Sequence, residues 1–379
     1  MMRFFASIRL TLACLACAMA LVFAGTLAQD DLGLYAAQAK YFRSVLIFWT
    51  IPGTSVHVPV LPGGYLVGGV LLINLICAHA QRFGLSRDKL GLLMIHAGLI
   101  LLLLGQLATD LLSTESTMRL SEGEPRSYSE DARLCELAII ETGHSDHDLV
   151  VAIPETRLAR HKGRKEIRHP ALPFEVRVID YWPNATHRPI EPGEGTAQAT
   201  QGAGRRVQFI SAAPETRMDR RNIPAAYVEL AAPGGSLGVW AVSLWIGAAQ
   251  DFQYEGKDYR IALRPARYYR PCSLELRRFS HDRYMGTDIP RNFSSDVHLT
   301  NPRTGESRDV RIYMNNPLRY GGETFYQSGY DHQDPRVTIL QVVRNPGWLT
   351  PYFSCALVGA GLVVQFLGHL LSFVKRKDA

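Results

Sequence analysis

Residues 90–109 read LGLLMIHAGLILLLLGQLAT, a run whose only ionisable side chain is His96 and in which glycine recurs at 91, 98 and 105. About 20 apolar residues match the hydrocarbon thickness of a bilayer when wound as a helix. A helix satisfies its own backbone hydrogen bonds there, so this stretch reads as a membrane span. Three other stretches read the same way: residues 10–28, 64–80 and 352–373. The second is short, and Val58 to Leu61 extend it to 58–80. The chain of 379 residues is 47% hydrophobic, but most of that lies in these four blocks. The fold expected is an integral membrane α-helical protein with four transmembrane helices and a large extracytoplasmic β-rich domain. Residues 1–109 hold three helices, 110–350 the β domain, and 351–379 the fourth helix with a basic tail.

Orientation follows from the basic residues in short loops. Arg3 and Arg9 precede the first span, Arg82, Arg87 and Lys89 link the second and third, and Lys375, Arg376 and Lys377 follow the fourth. The loop 29–62 holds Lys40 and Arg43 against Asp30 and Asp31, together with Trp49, Pro52 and His57. Both termini are therefore expected on the inside, in the cytoplasm, and residues 110–350 on the outside. A cleaved signal peptide ending near Thr26-Leu27-Ala28 is the alternative reading of the first span, and it leaves the other three in the same orientation. The net charge of +6 lies largely beside the apolar blocks, and no basic run carries interleaved aromatics, so nucleic acid is not an expected partner.

Between the third and fourth spans the pattern changes to alternation. Phe174, Val176 and Val178, then Tyr259, Ile261 and Leu263, then Val310, Ile312 and Met314 alternate with polar residues, the period of half-buried strands. Gly234-Gly235, Asn301-Pro302, Gly321-Gly322 and Asn345-Pro346 separate them as turns. Residues 191–205 read as a flexible loop, and the whole as an antiparallel sandwich or a pair of packed sheets.

An ionisable group inside a bilayer is costly and marks a functional candidate. His96 lies about 9 Å from the inner end of its helix at 1.5 Å per residue. It stands two residues from Gly98, about 200° round the helix, and so points away from the glycine stripe. His369 shares a face of the fourth span with Gly361 and Gln365. It reads equally as an interhelical hydrogen-bonding group and as a ligand. His79, at the inner end of the second span, reads chiefly as reaching the headgroups. The three imidazoles lie at similar depth, where a neutral ring nitrogen can ligate iron.

Of six cysteines, Cys14, Cys17, Cys77 and Cys355 sit in apolar blocks. Cys14 and Cys17 form a CxxC that reads as small core residues rather than thiol chemistry. Cys135 and Cys272 lie in the soluble part, where one disulfide and two buried free thiols are equal alternatives. No CxxCH is present, so the chain carries no covalent c-type haem. There is no GxSxG, HExxH, P-loop or dinucleotide-binding glycine pattern, which leaves no catalytic set. His144 and His147 lack a partner cysteine and read as a solvated turn, and the run 160–165 (RHKGRK) as a solvated basic loop.

Residues 310–331, VRIYMNNPLRYGGETFYQSGYD, read as strand, turn, strand: Asn315-Asn316-Pro317 break the first strand and Gly321-Gly322 permit a tight reversal. This segment closely resembles the hallmark stretch of the ResB/CcsB family of cytochrome c biogenesis proteins. Residues 286–295, GTDIPRNFSS, are similar to that family's PxxFxS entry, and Asn345-Pro346-Gly347-Trp348 to its exit before the last span. In motif the resemblance covers roughly residues 250–350, and in architecture the whole chain. The outer domain is compact and the loop 29–62 long beside many relatives.

The resemblance implies System II haem attachment: a subunit that handles and exports haem and supports its covalent attachment to apocytochrome c. It also implies a ResC/CcsA-type membrane partner, which carries the tryptophan-rich haem motif absent here, together with apocytochrome c, a thioredoxin-like thiol reductant and membrane lipids. By resemblance His96 occupies the place of the third-span histidine that binds the iron of transient, non-covalent haem b. The second axial ligand then belongs to the partner, which leaves His369 the weaker candidate. The chain alone is not expected to be an enzyme but an accessory subunit of a cytochrome c haem lyase. The alternative is a scaffold or chaperone that steadies the partner or apocytochrome without touching haem.

Overall fold

The computed structural model describes residues 2–54, 56–82, 89–143, 147–163, 166–190, 198–215, 221–283, 285–286, 290–331, 333–334 and 336–377. His144, Arg87, Arg164, Lys165, residues 191–197 and Thr287 to Ile289 lie outside that set, as do the side chains of Arg82, Lys375, Arg376 and Lys377. The chain forms two compact units, one of residues 1–114 with 344–379 and one of 115–215 with 219–343.

The first unit holds four helices long and apolar enough to cross a membrane. They are α1 (Ile8–Leu32), α2 (Gly64–Arg82), α3 (Leu90–Leu112) and α4 (Thr350–Lys377). The second begins at Gly64 and not at residue 58. Val58 to Leu61 belong to a hairpin, β1 (Leu46–Thr50) paired antiparallel with β2 (His57–Pro62), in which Trp49 lies opposite Val58. Pro59 and Pro62 fall inside this stretch, and proline supplies no N–H for a continuing helix. The 19 residues of α2 still rise about 28 Å, enough to span.

Two different devices join these helices. Between α1 and α2 the join is polar: Asn74 is buried, its Oδ1 accepts from Thr11 Oγ1 at 2.7 Å, and its Nδ2 donates to Ser7 O at 3.1 Å. Between α3 and α4 it is steric. Gly91, Gly98 and Gly105 are the buried residues of α3. A Cβ on Gly91 would stand 2.7 Å from Gly361 O, one on Gly98 2.6 Å from Val358 Cγ2, and one on Gly105 2.2 Å from Thr350 Cγ2. The partners run backwards along α4, so the two helices are antiparallel and nearly touch by their backbones. Past the glycine seam, Thr109 Oγ1 donates to Asn345 Oδ1 at 3.2 Å, which also accepts from Gly347 N at 2.9 Å and so fixes the turn into α4.

The second unit is β-rich. Its large sheet runs in the order β14 (Glu306–Tyr313), β13 (Pro290–Asn301), β12 (Lys257–Arg283), β4 (Pro125–Thr142), β3 (Thr114–Ser121), β17 (Val337–Arg344), β16 (Glu323–Tyr330), β15 (Leu318–Tyr320). Two further strands flank this path: β5 (Leu149–Pro154) pairs with β4, and β11 (Gln250–Tyr254) with β12. A smaller sheet has the order β10 (Gly235–Ser243), β9 (Ala225–Ala232), β6 (Glu175–Trp182), and β7 (Ala185–Pro189) pairs with β8 (Val207–Ser211). The expected packing of two sheets is present: Leu137, Ile139 and Ile261 of the large sheet meet Val176, Val228 and Trp240 of the small one in one core.

A second core forms where the large sheet curls on itself, joining Leu276 and Leu299 to Phe325 and Leu340. The long strand β12 contributes to both cores and pairs with β4. Their pairing shifts register between Pro265 and Arg267, where proline breaks the ladder and bends the ribbon.

Cys135 and Cys272 are both buried and both free. Burial pushes the Cys135 thiol up to about 11, although Arg221 Nη2 donates to its Sγ at 3.3 Å.

Two expectations follow from these contacts. Gly98→Leu should force α3 from α4 and destabilise the chain by about 1–3 kcal/mol, an overpacking cost. Gly359→Leu, with nothing within 4 Å of its Cβ, should leave a thermal melt in detergent almost unchanged. For Cys135, an unfolded thiol ionises near its usual 9.0 while the folded one holds its proton to about 11. Its share of stability is therefore intact below pH 9 and lost between 9 and 11. At pH 8 the native chain should resist alkylation at Cys135 until denaturant is added, as read by mass spectrometry.

Candidate functional site

Three helices decide where the membrane histidines stand. The glycine stripe commits one face of α3 to α4. His96 is on the far side of α3 and meets α2, where His79 lies near the helix end. The two half-buried rings have centroids 6.4 Å apart and planes inclined by 31°. A metal-bound imidazole nitrogen sits about 2 Å from its metal, which puts the ring centre roughly 3 Å away. Two rings on opposite sides of one iron are then roughly 6 Å apart, close to the separation observed. The pair fits an iron-bearing cargo on that measure, and imidazole is an established axial ligand of haem iron.

His369 stands elsewhere. Gly361 and Gln365 lie against Gly91, so His369, one turn further along α4, has passed the start of α3. It is exposed and paired with Gln365, Nε2 to Nε2, at 2.8 Å. Among the described residues, no three of His, Cys, Asp and Glu gather closely enough to hold a metal ion. Of the three histidines, the structure brings together His79 and His96. His79, assigned chiefly to the headgroups by its place at a helix end, faces its neighbour because α2 and α3 run antiparallel through a short link.

In the β unit the signature stretch is a pinned hairpin. Asn315 takes φ 62°, and a bridge between Tyr313 and Asn316 closes the turn around it. Tyr320 pairs with Glu323 across Gly321 and Gly322, at φ 60° and 79°. Two positive φ values in a two-residue loop define a type I′ reversal, whose twist suits the flanking strands. Leu318 and Phe325 point into the second core. Arg270 of β12 is almost fully buried and its Nη2 donates to Glu323 Oε1 at 3.0 Å. Gln327 Oε1 accepts from Ser295 Oγ at 2.6 Å, and its Nε2 donates to Thr338 Oγ1 at 2.9 Å. Ser295 closes the other signature stretch, so the two similar segments meet here. Tyr313, Met314 and Tyr326 remain exposed.

Sequence reasoning passed over several polar groups in the helical unit. Asp110 ends α3 in an ion pair with Arg43, Nε to Oδ1 at 2.8 Å, and accepts from the Tyr65 hydroxyl. Asp110 falls at the edge of an apolar run and its partners lie in separate elements, so spacing gives no sign of the triad. Asn74 carried a signal, as a lone amide within a span, and was not singled out.

Four membrane helices with a histidine pair, and a large β domain, define a polytopic membrane protein of mixed architecture. Residues 235–339, from β10 into β17, match the ResB-like family. The chain is also 27% identical over 302 residues to Protein NrfI of Wolinella succinogenes, a match covering 79% of this chain and 29% of that protein. The chain thus spans under a third of that relative's length. The matched segment includes the signature stretch of residues 310–331, so both comparisons agree with the likeness read from the sequence.

The turn gives a direct check on the signature hairpin. Gly321→Ala should cost about 1–2 kcal/mol, the penalty of a left-handed residue with a Cβ. Gly321→Asn should cost much less, because asparagine tolerates that region. Urea unfolding of the full chain measures both.

Proposed function

We propose that this chain is a haem-handling subunit of a cytochrome c maturation complex in the bacterial cytoplasmic membrane. Its termini lie in the cytoplasm and its β domain outside. The observation that carries this reading is the His79–His96 pair, two imidazoles on adjacent membrane helices in a ResB-like chain. His96 supplies one axial nitrogen to the iron of transient, non-covalent haem b. His79 is the nearest second imidazole within the chain. A ResC/CcsA-type partner is the other source of the second ligand, and His369 the weaker source within this chain. The β domain presents its exposed signature residues towards apocytochrome c, and a thioredoxin-like reductant keeps the acceptor cysteines as thiols. The chain carries no catalytic set and works as an accessory to the haem lyase.

Haem is cargo here, so its hold must be reversible. Axial coordination by neutral imidazole meets that need, since it involves no covalent bond to the porphyrin. The half-buried setting of the pair keeps bulk water from the iron while leaving a way in along the helices.

The test is the visible spectrum of the full chain purified with its partner. Wild type should show low-spin, bis-histidine haem. His96→Gly should lose most of that signal, and added imidazole should restore it. His79→Gly distinguishes the second ligand: an equal loss assigns it to this chain, and an unchanged spectrum assigns it to the partner or to His369. If His96→Gly keeps the full spectrum, the chain is a scaffold that steadies its partner or apocytochrome.

A further inference from the structure

At the end of the helical unit away from the histidines, α1, α2 and α3 do not close on one another. They leave a cavity of about 600 Å³. The lining residue of α2 nearest to His79 is Leu72, seven residues away along the helix, about 10 Å at 1.5 Å per residue. The cavity is therefore distinct from the proposed haem site. Its size falls within the range of small-molecule pockets.

Two glycines in its wall behave unlike those of the seam. A Cβ on Gly68 or Gly69 would meet nothing within 4 Å. No neighbouring helix requires glycine there, and mid-helix glycine costs about 0.5–1 kcal/mol against alanine. What the two residues do is widen the cavity. Phe42, Leu72, Leu103 and Leu107 supply the rest of an apolar wall.

The polar end has a definite charge state. Arg43 is matched by Asp110, which the Tyr65 hydroxyl also contacts. One cation cancels one anion, so an anionic head would have to break an existing ion pair to find a partner. Gln29, Gln38 and Gln106 also border the space, Gln106 exposed and the other two half-buried. Each amide offers donors to a carbonyl acceptor.

An apolar wall with an uncharged, donor-bearing end fits an amphiphile whose head accepts hydrogen bonds and carries no net charge. We propose that this cavity binds a membrane quinone: a flat ring with two carbonyl acceptors near the glutamine amides, and an isoprenoid tail along the glycine and leucine wall. The proposal concerns binding alone and stands independently of haem at His96.

The test uses the full chain purified in mild detergent and titrated with a short-tailed quinone, bound ligand being counted by extraction and ring absorbance. Saturable uptake of about one quinone per chain is expected, as for a single small-molecule pocket. Gly68→Leu, which fills the space without meeting another residue, should weaken binding at least about tenfold. Gln106→Leu should weaken it about three- to tenfold, the value of one lost hydrogen bond. Gel filtration and a thermal melt check each variant's fold. Where Gly68→Leu fails to fold, Gln106→Leu decides. The proposal is overturned if phospholipid co-purifies and no saturable quinone uptake is found, or if the folded variants bind as tightly as wild type.

Discussion

The contact of α3 with α4 through glycine constrains everything else in the helical unit. Lipid tails are as apolar as leucine, so hydrophobicity alone gives membrane helices little reason to associate. Close backbone approach supplies that reason. With Gly91 against Gly361 and Gly98 against Ser354 and Val358, one face of α3 is fully committed. The helix cannot rotate without driving a leucine into a backbone. The opposite face, with His96, must then turn to α2. The histidine pair is thus a consequence of where α3 has no side chains.

This explains how far the sequence could be read. The seven-residue spacing of Gly91, Gly98 and Gly105 is periodic, and periodicity survives into the fold. The seam and the outward direction of His96 were therefore both legible. The identity of the helix on each face was not, because no spacing within α3 says which neighbour takes which side. His79 was legible as a membrane-edge histidine and illegible as the neighbour of His96 for that reason. The start of α2 failed on a different ground. Val58 to Leu61 are apolar enough for a span, yet Pro59 and the pairing with β1 make them strand. Composition reports transfer into lipid, and hydrogen bonding decides the backbone. In the β unit, the alternation at 174–178 and 259–263 marked strands correctly. The packing of those two strands into one core was a long-range fact with no local trace.

The signature stretch shows why a sequence likeness can be strong where no chemistry is visible. Its glycines hold left-handed turns, Leu318 and Phe325 fill a core, Glu323 neutralises the buried Arg270, and Gln327 joins Ser295 to Thr338. A buried charge or amide that loses its partner costs more than a surface contact is worth. Such positions tolerate few substitutions for reasons of folding alone. Recognition by this stretch therefore identifies a fold with confidence and says little about which atoms meet a ligand. The residues open to another molecule are the exposed ones between them, Tyr313, Met314 and Tyr326 among them.

The two ends of the helical unit differ in the kind of polar group that they hold, and that difference follows from the joints. Near the start of α3 the seam is backbone against backbone, Gly91 on Gly361, and the polar residues are two aromatic rings side by side. Near the end of α3, Arg43 and the Tyr65 hydroxyl of α2 both meet Asp110, and the polar residues are amides, a hydroxyl and a balanced ion pair. A metal centre requires lone pairs at fixed separation, and close packing fixes separations. An amphiphile requires room and donors, and the cavity beside Gly68 and Gly69 has both. The glycines of α3 thus remove space along the whole contact with α4, while Gly68 and Gly69 of α2 leave space where the cavity lies.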